Sequence, residues 1–193
     1  SNHYKKLKEK HSELCRINTI NRQLAINEDA NHLRSLGDVF ITEPKNAGRL
    51  MRRAKETTVN SKGKFNRKKR SGRSIKNRCP SGFQAAIEQK FKLSGGIYIE
   101  VSNDYRASQY DHTVDDYIKK KLSDRMYKLQ DGTEVQRDWY SSFLLYCYDY
   151  RTKDIDKNKC ISEFDKCYSK EKALIEWIRV NEIKVLNSGI KIA

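Results

Sequence analysis

Two acidic residues stand where the predicted structure changes from one element to the next. Glu43 follows the apolar run Val39-Phe40-Ile41-Thr42, which predicts a short buried strand, and it precedes Pro44. Asp138 lies in "DGTEVQRDWYSSF", where a predicted hairpin turns into a helix. Each acid has a structural interpretation. Glu43 is a strand-end acid that faces solvent or pairs with an arginine, and Asp138 is favoured by the N–H groups and macrodipole of a first helical turn.

The two acids together also suit one kind of catalysis. Phosphodiester cleavage by two metal ions needs carboxylates that converge from separate elements and hold two Mg²⁺ ions roughly 4 Å apart. Mg²⁺ prefers hard oxygen ligands, so Asp and Glu serve and His or Cys are not needed. We therefore take Glu43 and Asp138 as candidate catalytic residues and metal ligands.

The charge of the chain predicts a polyanionic partner. Forty Lys and Arg stand against 25 Asp and Glu, a net charge of +15, and nucleic acid is the usual partner of such a protein. Residues 45–78, the basic arm, carry fourteen of these positive charges and a single acid, Glu56. Because apolar residues are sparse there, we expect a flexible arm that orders, if at all, on a partner; a solvated loop is the alternative. The candidate nucleic-acid-binding residues of the arm are Arg49, Arg52, Arg53, Lys64, Arg67, Lys68, Lys69, Arg70, Arg73 and Arg78. Tyrosines that can either stack on bases or pack in the core are Tyr98, Tyr105, Tyr110, Tyr117 and Tyr127.

The hydrophobic pattern predicts an alternation of helices and strands. The first predicted elements are a helix over 3–36, a strand over 38–43, a helix that is capped by Ser81 and runs to about Leu93, and a strand over 97–101. The first helix has an apolar stripe that consists of Leu7, Leu14, Ile17, Ile20 or Leu24, and Leu33. After a polar, irregular stretch over 103–121 come a hairpin with a type I′ turn at Asp131-Gly132, a helix over 137–148, and a last helix to about residue 182 with Ile161, Phe164, Tyr168, Ile175 and Ile178 on one face. This order predicts a mixed α/β domain.

Cysteine usage and hydropathy exclude several protein classes. The five cysteines are odd in number and form no CxxC pair, so we expect neither a disulfide framework nor a zinc ribbon, and no bound zinc. We see no apolar run long enough to cross a bilayer, and therefore expect an intracellular, soluble protein without a membrane partner. The chain begins at Ser1 without methionine, which predicts a fragment.

Three stretches resemble one protein family in their residues and in their order and spacing along the chain. "GDVFITEPKNAGRLMRRAKE" resembles the second nuclease motif of the TnpB-like (OrfB) transposase family of bacterial insertion sequences, in which an apolar strand ends in a catalytic Glu. "DGTEVQRDWYSSFLLYC" resembles the third motif, an Arg-Asp pair that opens a helix, and "HYKKLKEKHSEL" resembles the segment before the second motif. The resemblance covers roughly residues 2–149.

The resemblance implies an RNase H-like, RuvC-type mixed sheet with flanking helices, incomplete at its N-terminal side, plus a C-terminal helix. It implies a helical segment over 1–36, a nuclease core over 37–152 that contains the basic arm and a hairpin insertion over 103–135, and a helical tail over 153–193. The family is similar to the type V CRISPR effectors. The implied activity is that of a Mg²⁺-dependent, RNA-guided DNA endonuclease encoded by a mobile element, with DNA and guide RNA as partners, in the bacterial cytoplasm and at the nucleoid. Glu43 and Asp138 would be the metal ligands, and Arg137 would contact a phosphate or the metal-bound substrate.

The sequence departs from the family pattern at two places. The first catalytic Asp of the family lies on a strand upstream of the long helix, and no such strand precedes His3. The place of the family's four-cysteine zinc ribbon holds "SQYDHTVDDYIKKKLSDRMYKLQDG", without cysteine. His112 with Asp111, Asp115 and Asp116 can in principle bind a metal, although a lone histidine in a polar loop is usually solvated. We therefore expect that this chain alone does not cleave DNA, and a nuclease-inactive nucleic-acid-binding protein of the same family is the alternative.

Overall fold

The computed structural model describes residues 1–52, 56–66, 72–102, 104–121 and 123–191. The chain divides into two compact units. Unit 1 comprises Ser1–Phe40 and Lys45–Tyr98, and unit 2 comprises Ile41–Pro44 and Ile99–Ala193. Long helices and short strands occur together, so the fold class is mixed α/β, as predicted.

Unit 1 is mainly helical, and the chain passes between the units along two strands. The helices are α1 (Asn2–Leu36), α2 (Ala47–Met51), α3 (Gly72–Arg78) and α4 (Pro80–Leu93), and the strands are β1 (Val39–Thr42) and β2 (Ile97–Glu100). The predicted long first helix is confirmed: the Ser1 hydroxyl accepts the Tyr4 N–H at its start. Helix α4 begins with Pro80 at its first position rather than with Ser81 as cap, because the fixed φ of proline suits a helix start.

The core of unit 1 is small and lies where α1 meets α4. Ala30, Ile87 and Phe91 are buried, and five partly buried side chains pack on them: Leu33, Phe40, Phe83, Ala86 and Tyr98. Phe83, Ile87 and Phe91, which recur every four residues in the sequence, line the inner face of α4. The predicted stripe of α1 is wrong over most of its length, since Leu7, Leu14 and Leu24 are exposed. Burial begins at Ile26, because α4 is 14 residues long and α1 is 35.

The basic arm contains regular structure, which corrects the prediction for its described residues. Asn46 caps α2 by accepting the Arg49 N–H at 2.8 Å. The Asn60 side chain accepts the N–H groups of Lys62 and Lys64, and this turn brings Val59 and Phe65 into an antiparallel bridge. Short polar caps and turns thus organise a stretch that has few apolar side chains.

Strands β1 and β2 pair in a two-stranded sheet. The Ile97 N–H donates to the Asp38 carbonyl, and the Val101 N–H donates to the Thr42 carbonyl. Between these two bonds each strand advances four residues in the same direction, so the strands are parallel. The prediction of a buried strand over Val39–Thr42 is wrong at Val39, which is exposed, and Ile97 of β2 is exposed as well.

Unit 2 holds a short 3₁₀ helix over Ala107–Gln109, three small antiparallel hairpins and two further helices. The strands are β3 (Tyr110–Asp111), β4 (Asp116–Tyr117), β5 (Met126–Lys128), β6 (Glu134–Gln136), β7 (Tyr148–Asp149) and β8 (Asp154–Ile155); the helices are α5 (Arg137–Tyr146) and α6 (Lys157–Val180). The described strands form four two-stranded sheets instead of one mixed sheet. With two to four residues each, these strands lie at or below the lower end of the usual length range.

The core of unit 2 is larger and rich in aromatic residues. Its buried residues are Ala107, Tyr110, Tyr127, Leu129, Val135, Tyr140, Phe143, Leu144, Cys147, Ile155, Cys160 and Phe164. Helix α6 supplies Cys160 and Phe164, so the C-terminal region packs on α5. Its predicted stripe is wrong at Ile161, which is exposed.

Two loops of unit 2 differ from the prediction. The hairpin of β5 and β6 is confirmed, but Gly132 has a positive φ and Asp131 does not, whereas a type I′ turn needs one at both positions. The Gly132 N–H donates to the Leu129 carbonyl, as in a type I turn followed by a left-handed glycine. The stretch 103–121, expected to be polar and irregular, supplies the core residues Ala107 and Tyr110 and a fully buried Asp111.

Candidate functional site

Glu43 lies directly after β1, where the sequence predicted a strand end. It is half-buried, and its backbone carbonyl accepts the Thr42 hydroxyl at 3.4 Å. Pro44 follows and removes one backbone donor from the end of the strand. The carboxylate is therefore carried by a short strand end of unit 2 and keeps partial access to solvent.

Asp138 lies in the first turn of α5, also in unit 2. Gln136 caps this helix, since its Oε1 accepts the Trp139 N–H at 2.7 Å. The guanidinium of Arg137 donates to the Asp138 carboxylate at 3.0 Å; the side chains are 15% and 64% exposed, respectively. The Arg137 N–H donates to the carbonyl of Arg125, the residue before β5, so the helix start is tied to that end of the hairpin. The backbone is thus anchored while the carboxylate faces solvent.

Neither Glu43 nor Asp138 belongs to a potential metal-binding group in the described part of the chain. Over those residues, no three His, Cys, Asp or Glu side chains form a group that could hold a metal ion. Glu43 and Asp138 have the hard oxygen donors that Mg²⁺ prefers, but two carboxylates supply only part of its octahedral shell. Their chemistry fits Mg²⁺, whereas their number alone does not complete a site.

Asp111 and Asp115, which were considered with His112 as possible metal ligands, have other roles. The buried Asp111 accepts the Thr113 N–H at 3.0 Å and the Thr113 hydroxyl at 2.7 Å, and its second oxygen accepts the Gln130 N–H at 3.0 Å. Asp115 accepts from the Lys157 ammonium at 2.6 Å and from the Tyr110 hydroxyl at 2.8 Å. These acids close loops of unit 2.

His112 is a packed residue, and the expectation of a solvated histidine is wrong. Its ring lies 4.3 Å from the ring of Phe164, and Nδ1 lies 2.8 Å from the Tyr140 hydroxyl oxygen. Burial lowers the pKa of His112, because the charged ring loses hydration.

Lys120, which no local sequence pattern singled out, has a buried ammonium group. The Lys120 ammonium lies 4.4 Å from the ring centre of Tyr127 and 5.4 Å from that of Tyr140. It has no hydrogen-bond partner among the described residues. Burial lowers its pKa, and the nearby Asp111 opposes this effect. Tyr127 is thus a core residue that faces a cation.

The five candidate stacking tyrosines divide by burial. Tyr105, Tyr110 and Tyr127 pack in the core of unit 2, and Tyr98 packs against the core of unit 1. Tyr117 is exposed. Most of this set therefore serves the fold, and the exposed Tyr117 ring lies 5.3 Å from that of Tyr110.

The described basic residues of the arm sit on folded elements and face solvent. Arg49, Arg52, Lys64, Arg73 and Arg78 are exposed, on or beside α2, in the turn after Asn60, and on α3. Arg53, Arg67, Lys68, Lys69 and Arg70 lie outside the described residues. No local pattern indicated that Arg22 of α1 would donate to the Asn77 carbonyl at 3.1 Å, which ties the last turn of α3 to the long helix.

The net positive charge of the protein is confined to unit 1. Unit 1 contains 23 Lys and Arg against 7 Asp and Glu, a net charge of +16. Unit 2 contains 17 Lys and Arg against 18 Asp and Glu, a net charge of −1. The basic arm and the two candidate catalytic acids therefore belong to different units.

A surface pocket of about 270 Å³ lies in unit 2 at the start of α6. It is lined by Tyr148, Asp149, Tyr150, Arg151, Asp156 and Lys159, and so includes neither Glu43 nor Asp138. The Arg151 N–H donates to the Asp149 carboxylate, and Asp156 caps α6. The acids that line this pocket thus already serve the local fold.

Comparison with known proteins assigns no family. No protein-family model matches the chain, and no curated protein matches it. The helices of the described segments include none with both the length and the hydropathy of a membrane span.

Proposed function

We propose that this protein is a nucleic-acid-binding component of a TnpB-like, RNA-guided DNA endonuclease, with an RNase H-like nuclease core that hydrolyses phosphodiesters with Mg²⁺. The observation that carries the nucleic-acid part is the net charge of +16 on unit 1, against −1 on unit 2. Such a concentration of charge attracts a polyanion, and counterion release then contributes to the binding free energy. DNA and a guide RNA are the proposed partners, which agrees with a protein of the bacterial nucleoid.

The position of the acids supports the catalytic part. Asp138 presents an exposed carboxylate from an anchored helix start, and Arg137 beside it can contact a phosphate. Glu43 adds a carboxylate from a strand end. These two residues would hold Mg²⁺, which when bound stabilises the attacking and leaving oxygens. A further Asp, on a strand ahead of α1, would complete the ligand set.

A nuclease-inactive binding protein is the second candidate. It is favoured by the observation that, over the described residues, no third acid, histidine or cysteine joins a metal-binding group. In this case unit 1 binds DNA or RNA and unit 2 contributes no catalysis.

Salt-dependent binding to a labelled DNA duplex and to an RNA strand tests the nucleic-acid part. A variant with Arg49, Arg52, Arg73 and Arg78 changed to Gln loses exposed positive charges of unit 1. We expect weaker binding, and a salt slope on duplex DNA that is smaller by about 0.9 for each phosphate that the variant no longer neutralises. The control changes four exposed lysines of unit 2, Lys153, Lys170, Lys184 and Lys191, to Gln and should leave the slope unchanged. Equal decreases in both variants would contradict the proposal.

Cleavage separates the two candidates. We expect no Mg²⁺-dependent cutting by this chain alone, and cutting by a longer form that carries the additional Asp and its guide RNA. Glu43→Ala or Asp138→Asn should then abolish cutting and leave DNA binding nearly unchanged. If the longer form binds but never cuts, the binding protein is the correct function; if Glu43→Ala weakens binding as much as cutting, Glu43 is structural.

A further inference from the structure

Three hydrogen bonds join the C-terminal region to the segment that precedes Asp138. The Tyr168 hydroxyl of α6 donates to the Glu134 carbonyl at 2.9 Å. The Glu171 carboxylate, one turn further along α6, accepts the Gln136 N–H at 2.7 Å. The Gln136 side-chain amide donates to the Ser188 carbonyl at 3.2 Å. Each bond spans more than 30 residues of the chain, so together they hold β6 from outside its own hairpin.

Gln136 links these bonds to the start of α5. It is the last residue of β6, and its Oε1 accepts the Trp139 N–H. Its backbone N–H is held by Glu171, and its side chain is held by both Trp139 and Ser188. Because Arg137 and Asp138 lie between Gln136 and Trp139, the orientation of Gln136 sets the direction in which this pair leaves the strand.

Glu171 is an unusual residue to find at such a position. It is 3% exposed, and its Oε2 atom has no hydrogen-bond partner in the described structure. Burial raises the pKa of Glu171 to about 7, and the bond from the Gln136 N–H opposes this effect. For stability alone, an apolar side chain would avoid the desolvation of the carboxyl group. An apolar side chain would, however, leave the buried N–H of Gln136 without an acceptor.

We propose that Glu171 is a positioning residue that fixes the Arg137–Asp138 pair through Gln136, which makes α6 part of the candidate catalytic site. The role of this pair in catalysis rests on the proposed function, but the positioning itself does not. Residues 150–193, which lie outside the family resemblance, thereby acquire a role: they supply two acceptors for Gln136, the Glu171 carboxylate and the Ser188 carbonyl.

Amide hydrogen exchange measured by NMR on the whole chain tests the positioning. Glu171→Met keeps a side chain of similar length and removes the acceptor, whereas Glu171→Gln retains a carbonyl acceptor. We expect exchange at Gln136 and Trp139 to be at least about tenfold faster in the Met variant, because the Gln136 N–H no longer has a buried acceptor. The amides of Leu144 and Phe164 should keep their wild-type rates. The Gln variant should stay within about twofold of the wild type at every site, and Glu176→Met, an exposed acid on the same helix, serves as control.

Unchanged exchange at Gln136 and Trp139 in the Met variant would overturn the proposal, as would acceleration of equal size throughout unit 2. If the Met variant does not fold, Tyr168→Phe decides, since it removes the neighbouring bond to Glu134 and keeps the ring. Faster exchange confined to residues 134–139 would then support the proposal, and a uniform or absent change would refute it.

A kinetic measurement connects the positioning to the chemistry. In a form of the protein that cleaves DNA, Glu171→Met should lower kcat by about tenfold or more and leave the KM for DNA within about twofold, and Glu171→Gln should restore most of kcat. A form that never cleaves would refute the nuclease function and leave the exchange result standing. A parallel change of kcat and KM would show that Glu171 supports the fold in general.

Discussion

Unit 1 and unit 2 differ in how charge and buried surface are distributed. Unit 1 has a net charge of +16 and a core cluster of three buried residues, whereas unit 2 has a net charge of −1 and a core cluster of twelve, counted over the described residues. Self-repulsion of like charges opposes a compact state, and the proposed polyanion would reduce that repulsion in unit 1. Unit 2 has no such excess charge, and its aromatic core holds buried polar groups in fixed places.

The two units suit two kinds of function. A charged surface recognises a polyanion through many similar residues. A single substitution there changes the binding affinity little, whereas several together change it greatly. A helix start such as that of α5 depends on a few directed hydrogen bonds, so single positions such as Gln136 matter greatly. Substitutions in the two units should therefore have different signatures.

The largest effect is expected in the core of unit 2. The Phe164 ring lies 4.3 Å from the His112 ring, 5.3 Å from that of Tyr168 and 5.5 Å from that of Phe143. Phe164→Ala should lower the free energy of unfolding by about 3–5 kcal/mol, since it leaves a cavity among these rings. Urea denaturation measures this. Ile161→Ala, at an exposed position of the same helix, should stay within about 0.5 kcal/mol of the wild type, and equal losses would contradict this packing.

The pH dependence of stability should report on Glu171. Because its pKa in the folded protein, about 7, lies above the ordinary value of 4.5, the folded state holds this proton more tightly than the unfolded state. The stabilisation is complete below about pH 4.5 and is lost as the pH rises through 7. Relative to Glu171→Gln, the wild type should lose about 3 kcal/mol across this window, at 1.4 kcal/mol per unit of pKa difference. Denaturation series at several pH values measure the difference, in which the titration of His112 cancels; parallel curves would show that the carboxyl group is hydrated.

The buried Asp111 provides a polar counterpart to the core substitution. Asp111→Asn should cost about 2–3 kcal/mol, because the new amide N–H₂ cannot accept the Gln130 N–H and the Lys120 ammonium loses a nearby negative charge. Thermal and urea unfolding measure the loss. Asp104→Asn, on the exposed surface of the same unit, is the control and should be nearly neutral. A neutral Asp111→Asn would mean that water satisfies these donors.

The smallest expected loss lies in unit 1. The Arg34 guanidinium donates to the Asp38 carboxylate at 2.7 Å and to the Ser94 hydroxyl at 2.6 Å, and it lies over the ring of Phe91. Arg34→Lys keeps the charge but loses the planar fork, so we expect a cost of about 1–2 kcal/mol in urea unfolding. Arg16→Lys, at an exposed site of the same helix, should have almost no effect. A change near zero in the free energy of unfolding for Arg34→Lys would show that a positive charge alone is enough to bind Asp38 and Ser94.

Local patterns predicted those elements whose signal lies within a few neighbouring residues. Phe83, Ile87 and Phe91 recur at helical spacing and line the inner face of α4. The turn-forming pair Asp131-Gly132 predicted the β5–β6 hairpin, although not its turn type, and the change from hairpin to helix placed Asp138 at the start of α5. The stripe of α1 failed at its exposed leucines, because periodicity shows which face of a helix is apolar and says nothing of whether another element covers it.

The sequence by itself determined the mixed α/β class, the positions of α1, α4, α5, α6 and the β5–β6 hairpin, the excess of positive charge and the two boundary acids, since each depends on composition or on residues close in the chain. The tertiary structure alone decided which polar residues are buried and what they hold. Asp111 reaches an N–H 19 residues away, and Glu171 reaches Gln136 across 35 residues. No local period encodes such pairs, because their partners are brought together by packing of the core around them.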